Sequence, residues 1–193
     1  MQHATVRSML VADQVTPDRF RPLKRVEYDR LVELGAFEDE PLELLRGALV
    51  TVSPQGLPHS RAVARLHAAL FRALDGRALV LCQLPFAASD DSEPEPDVAV
   101  VPTTSQIDDH PTAAYLIAEV ADSSLRKDRE VKRDIYAEAG VPEYWIVNVR
   151  EQVVEVYRTP VEGRYTERRQ VGADARLRPI EFPDVEIAVG ELF

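Results

Sequence analysis

Apolar residues recur along this chain in two periods, and the switching between them predicts a mixed architecture. In "LKRVEYDRLVELGAF", Val26, Leu31, Leu34 and Phe37 fall at near-helical intervals and Gly35 marks a stop, which predicts a helix. "LELLRGALVTVSP" sets two short apolar segments around Arg46-Gly47, which predicts a hairpin. "HSRAVARLHAALFRALDG" is the strongest helical pattern, with Val63, Leu66, Leu70, Phe71 and Leu74 on one side and Gly76 after it. Three strands are predicted next, in "ALVLCQLPFA", "DVAVVP" and "AYLIAEVA", apolar on both faces as in a sheet covered on both sides. "REVKRDIYAEAG" reads as a helix closed by Gly140, and "PEYWIVNV" as a buried strand. "QVVEVYRTP" reads as an edge hairpin partner ended by Pro160, and "RLRPIEFPDVEIAVGELF" as short extended pieces with a last helical turn.

This order predicts an α/β fold, a mixed central β-sheet flanked by helices, with an N-terminal helix and hairpin as an extension. Residues 1–21 show little periodicity and are expected to form a flexible arm before a single domain over residues 22–193. The length of 193 residues suits one such domain, and 45% hydrophobic with 29% charged residues is an ordinary globular balance. The single cysteine, Cys82, lies in an apolar run and reads as a small buried hydrophobe. No apolar run approaches the roughly 18 residues of a membrane span. The first residues lack an apolar core and carry Asp13 and Asp18, so a soluble cytoplasmic protein is expected.

The net charge of −10 argues against general attraction to nucleic acid, which rests on lysine and arginine displacing phosphate counterions. It leaves room for a local basic groove. Arg61, Arg65, Arg72 and Arg77 against Asp75 alone make the strongest helix such a feature.

The acids point to chemistry. In "DDSEPEPDVAVVP", Asp90, Asp91, Glu93 and Glu95 read as a solvated turn, but Asp97 sits at the mouth of a buried strand. Glu119 lies near the end of the strand in "LIAEVADSS". A carboxylate among apolar neighbours costs several kcal/mol unless paired or bound to a metal. Two that converge in one sheet would repel, and magnesium, with manganese able to substitute, is the simplest remedy. Asp128, Lys132 and Tyr136, spaced four apart, share a stripe of the following helix and could bring an ammonium to the pair. Each residue has a plainer reading: Asp97 as a turn cap after Pro96, Glu119 as a structural salt bridge, and Lys132 as an exposed lysine paired with Asp128. Glu43, flanked by leucines, is a candidate third carboxylate, and His59 a helix-start polar group or phosphate contact. His3, His67 and His110 show no zinc-ligand spacing, and there is no glycine-rich phosphate loop.

"LELLRGALVTVSPQGLPH", "PEPDVAVV", "LIAEVADSSLRKDREVKRDIYAEAGVPEYWIVNV" and the closing "ELF" resemble the Uma-two family of restriction-endonuclease-like proteins, a branch of the PD-(D/E)xK nucleases. The resemblance runs from about residue 22 onward. It implies a restriction-endonuclease-like three-layer core in which helix, three strands, helix and strand follow in order. It also implies that Asp97 is the Asp of the Pro-Asp motif and Glu119 the second acid. The usual superfamily lysine would fall at Ala121, and the family pattern maps it instead onto Lys132. Asp128 and Tyr136 match the pattern of that helix, and Glu43 and His59 the upstream one. Two departures stand out: Gly47-Ala48 where many relatives read Gly-Glu, and Val147-Asn148 where they read Val-Asp.

The leading expectation is therefore a magnesium-dependent endonuclease acting on DNA phosphodiesters. Asp97 and Glu119 would hold the metal with help from Glu43, Lys132 would position the attacking water, and Arg61 and Arg65 would contact the DNA backbone. A homodimer is expected, since cutting two strands calls for two sites. The alternative is a catalytically silent nucleic-acid-binding or protein-assembly module on a nuclease fold, favoured by the acidic balance. Paired-carboxylate glycoside hydrolysis is a third option, weakened by a single tryptophan that "EYWIVN" is expected to bury.

Overall fold

The computed structural model describes residues 21–38, 40–52, 54–105 and 109–193; the expected arm over residues 1–21 lies outside them except for Arg21. Helix α1 (Arg25–Glu33) is followed by a hairpin of β1 (Leu42–Leu45) and β2 (Ala48–Thr51), then by helix α2 (Leu57–Leu74). Strands β3 (Leu79–Cys82), β4 (Val98–Val101) and β5 (Leu116–Ala121) come next. A continuous helical segment then runs through α3 (Leu125–Lys127), a π-helical turn over Asp128–Lys132, and α4 (Arg133–Glu138). Strands β6 (Glu143–Asn148), β7 (Val153–Val161) and β8 (Arg164–Gly172) complete the main sheet. A small pair, β9 (Arg176–Leu177) and β10 (Ile187–Ala188), and a 3-10 turn over Val189–Leu192 close the chain.

The main sheet has six strands in the order β3-β4-β5-β6-β7-β8. Only β5 and β6 run parallel, as a helical crossover between them requires; the other pairs are antiparallel. Side chains alternate between two apolar layers. Val98, Val100, Leu116, Ala118, Val120, Trp145 and Val147 face α2, which buries Ala62, Val63, Leu66, Leu70 and Leu74 on them. Full burial of Leu66, Leu70 and Leu74 contributes about 5–9 kcal/mol before conformational entropy is counted. Ala99, Val101, Ile117, Ala121, Tyr144 and Ile146 face the other way and pack with Phe86 and with Tyr136 of α4. The fold class is that expected from the apolar pattern, a mixed sheet between helical layers. No described helix is long and apolar enough to cross a membrane.

Several local expectations are corrected. In α1 the buried residue is Tyr28, while Val26 and Leu34 are exposed, because the helix touches the body through one narrow face. Phe71 of α2 is exposed and stacks on His67 instead of entering the core. Strand β7 is not the edge and continues through Pro160 to Val161. The edge on that side is β8, whose polar sequence "RYTERRQVG" conceals a strand largely open to water, and β3 forms the opposite edge. The acidic turn is also less solvated than expected: Glu93 is buried and its backbone N–H donates to the Leu44 carbonyl of the hairpin.

The hairpin turns through Arg46 and Gly47, both at positive φ, the two-residue geometry whose twist matches paired strands. A side chain at Gly47 would collide with Pro22. Two short strands are not stable alone. Burial of Leu44 and Leu45 and an ion pair from Arg46 to Glu138 at the end of α4 hold this hairpin on the body.

Candidate functional site

Strand register creates the site. Val98 pairs with Ala118 across β4 and β5, so one further step along the ladder sets Asp97 opposite Glu119. Both belong to the phase of Ala99 and Ile117, the sheet face covered by the helix of Lys132. A cleft of about 500 Å³ opens there. Asp97, Glu119, Lys132, Asp128, Glu43 and His59 all line it.

Each carboxylate has one oxygen committed. Asp97 Oδ2 accepts the Val120 backbone N–H at 2.8 Å and lies 3.1 Å from His59 Nε2. Asp97 Oδ1 has only a long contact, 3.5 Å, from the Gln83 side-chain amide. Glu119 accepts on Oε1 from Lys132 Nζ at 2.8 Å and from the Tyr136 hydroxyl at 2.7 Å. Asp97 Oδ1 and Glu119 Oε2 are thus the open oxygens of two neighbouring acids lining one cleft. Hard oxygen donors of this kind fit a magnesium-class cation.

Lys132 is no exposed helix lysine. It is buried, and besides Glu119 it meets Glu43 Oε1 at 2.6 Å. Glu43 also accepts the Glu95 backbone N–H at 2.9 Å and pairs through Oε2 with Lys127 Nζ at 3.0 Å. The expected third metal carboxylate is therefore engaged by two lysines and a backbone donor, and it holds Lys132 in place. Asp128, nearly fully buried, accepts from Ser124 Oγ at 2.6 Å.

The π-helical turn explains how one segment delivers so many groups. Four residues overshoot a full turn of α-helix, at 3.6 per turn, and fall short of the wider turn that i→i+5 bonding makes. One turn of each kind in succession keeps Asp128, Lys132 and Tyr136 on one face, and all three are buried. The same widening lets Lys127 and Lys132, five apart, reach the two oxygens of Glu43.

Charge balance decides the protonation states. Burial pushes the Glu119 carboxyl up, Asp97, Asp128 and Glu43 add to this, and Lys132 opposes it, leaving Glu119 at about 8. Burial disfavours the Lys132 ammonium, but Glu119, Glu43 and Asp128 outweigh burial and hold it above its ordinary value. Burial likewise raises Glu43, yet Lys132 and Lys127 prevail and lower it. Asp128 is raised by burial, and His59 is raised because Asp97 outweighs the effect of burial. A carboxyl raised by burial and by three neighbouring acids against a single opposing lysine marks a site short of positive charge.

Two contributors escaped sequence reasoning. Lys127 looks like a surface lysine until the π turn is known. Gln83 carries no motif, but it lines the cleft and its side-chain amide is the group nearest the open Asp97 oxygen, at 3.5 Å. Arg61 and Arg65, in contrast, are not brought to the cleft. They border a separate depression with Arg72 and Leu192, and Arg65 bonds the Phe193 carbonyl. Trp145 is fully buried and its indole N–H donates to Glu143, so it lines no sugar-binding cleft.

The family model of Uma2, described as "Putative restriction endonuclease", matches residues 25–190. Among solved structures, "a putative nuclease belonging to DUF820" from Anabaena variabilis is similar, with a TM-score of 0.67 and 19% sequence identity over 89% of this chain and 98% of its own. At that identity the likeness is one of fold. No curated protein matches the chain.

Proposed function

The chain belongs to the Uma2 family, and from that premise we propose that it is a divalent-metal-dependent nuclease that hydrolyses phosphodiester bonds in DNA. The observation that carries this reading is the meeting of Asp97 and Glu119 across the β4–β5 ladder, each with an open oxygen, beside a lysine bonded to the second acid. Asp97 and Glu119 would hold the cation, with magnesium the natural ion and manganese a substitute. When bound, it supplies charge stabilisation at phosphorus and an acidified water.

The protein's own groups do the rest. His59 and the Val120 N–H fix the Asp97 carboxylate so that Oδ1 points to the cleft. The Tyr136 hydroxyl and Lys132 fix Glu119 in the same way. Lys132 stays protonated between Glu119 and Glu43, so it is a hydrogen-bond donor that orients the attacking water or meets negative charge developing on phosphate, not the general base. Lys127 and Arg126 line the cleft and supply the backbone-binding cations in place of Arg61 and Arg65.

The test is cleavage of plasmid and branched DNA with magnesium or manganese by the wild-type protein and by Asp97→Asn, Glu119→Gln and Lys132→Met. Cutting by the wild type alone is expected. Equal cutting by all four proteins removes the site assignment, and no cutting by any, with no manganese bound, turns the reading to a silent binding or assembly module.

A further inference from the structure

Outside the cleft, three glutamates are almost completely buried among the described residues, and one of them is incompletely satisfied. Glu155 accepts from Arg129, Tyr157 and Arg168, and Glu143 from Arg158, the Trp145 indole and the Ile180 N–H. Glu93, only 2% exposed, has an Oε2 that accepts no hydrogen bond. Asp29 Oδ1 is a second buried oxygen without a partner. His110 completes the group, with Nδ1 3.2 Å from Glu93 Oε1. One ligand atom from each of Asp29, Glu93 and His110 lies within 4.8 Å of the other two. Arg25 stands beside them, but at 3.4 Å from Asp29 Oδ2 and 3.6 Å from Glu93 Oε2 it satisfies neither orphan oxygen. Burial raises the Glu93 carboxyl above its ordinary value even though His110 and Arg25 act to lower it.

We infer that Asp29, Glu93 and His110 form a second metal site, separate from the Asp97–Glu119 pair, that takes a divalent transition ion of the zinc class. One imidazole and two carboxylates are donors that zinc accepts, with water in the fourth position. Tetrahedral ligands about 2.0–2.2 Å from one ion stand about 3.3–3.6 Å apart, so atoms already within 4.8 Å of one another need close by at most about 1.5 Å, which side-chain rotation supplies. The consequence is architectural. The ion joins α1, the acidic loop and the segment before β5, which are far apart in sequence. Glu93 also donates its N–H to Leu44, and Glu95 donates its own to Glu43, just before Asp97 enters the cleft. A metal here fixes the loop that delivers Asp97.

Calorimetric titration of the full chain with zinc chloride, in excess magnesium, tests the site. One equivalent is expected to bind the wild type and equally an Asp97→Asn/Glu119→Gln double variant. Binding at least tenfold weaker is expected for His110→Ala and Asp29→Asn, both changed at residues with exposed surface and checked for native circular dichroism. Zinc at a hundredfold excess over the wild-type Kd should raise the wild-type Tm by about 5–11 °C and that of His110→Ala by no more than about 3–6 °C. No zinc binding by the wild type, or binding that survives His110→Ala and is lost in the double variant, overturns the inference.

Discussion

Metal binding at the Asp97–Glu119 pair should release a proton, because Glu119 sits at about 8 in the metal-free protein. Only the ionised carboxylate is a ligand, so proton and cation compete for it. Affinity therefore rises with pH below about 8 and levels off above it. One pKa unit corresponds to 1.36 kcal/mol, so at pH 7 about one molecule in ten is ionised and affinity is roughly tenfold below its plateau; at pH 6 it is roughly a hundredfold below. Manganese titrations at pH 6, 7, 8 and 9, in buffers of differing ionisation heat, read both the slope and the proton count. About 0.9 proton released per ion at pH 7 is the expected value for a group at that position. His59→Gln keeps the slope, since His59 bonds Asp97 and not Glu119, whereas Glu119→Gln abolishes it. Affinity that is flat between pH 6 and 8, or a slope that survives Glu119→Gln, refutes the charge-deficit account of the site.

The same raised carboxyl makes the metal-free fold pH-sensitive. Its folded value is above the unfolded one, so the folded state holds an extra proton and stability falls as pH rises through about 8; urea melts at pH 6 and 9 should show that fall in the wild type and not in Glu119→Gln. Lys132→Met leaves Glu43 and Glu119 buried without their shared cation and should cost about 3–5 kcal/mol in the same melts at neutral pH. His59→Ala frees the Asp97 carboxylate and should weaken manganese binding about 10–100-fold at pH 8 while leaving the fold intact by circular dichroism. Leu66→Ala in α2, fully buried and remote from the cleft, should lower stability by about 2–5 kcal/mol without changing manganese affinity.

Much of the architecture was readable from periodicity. Val63, Leu66, Leu70 and Leu74 repeat every three or four positions, and that alone orients α2 on the sheet. Strands β4 and β5, apolar on both faces, could only lie in a covered sheet. Strand β8 was hidden because its side chains face water and its pairing is made by backbone groups that carry no residue signature. Val26, Leu34 and Phe71 misled for a related reason: apolarity predicts burial only where another element comes to cover the residue.

For the site, the line falls between residue type and residue partner. By itself the sequence determined that Asp97 opens one buried strand and Glu119 lies near the end of another, where an unpaired charge is costly and a cation the simplest relief; that the two strands are neighbours came from the fold. Only the tertiary structure decided which cation each acid meets. It assigned Lys132 to Glu119 and Glu43, drew Lys127 to the same carboxylate through a π turn, sent Arg61 and Arg65 elsewhere, and buried Glu93 beside Asp29 and His110. The physical reason is range. Hydrophobic periodicity is a property of neighbours along the chain. The energy of a buried charge depends on groups far away in sequence, brought within a few ångströms by strand register and helix geometry.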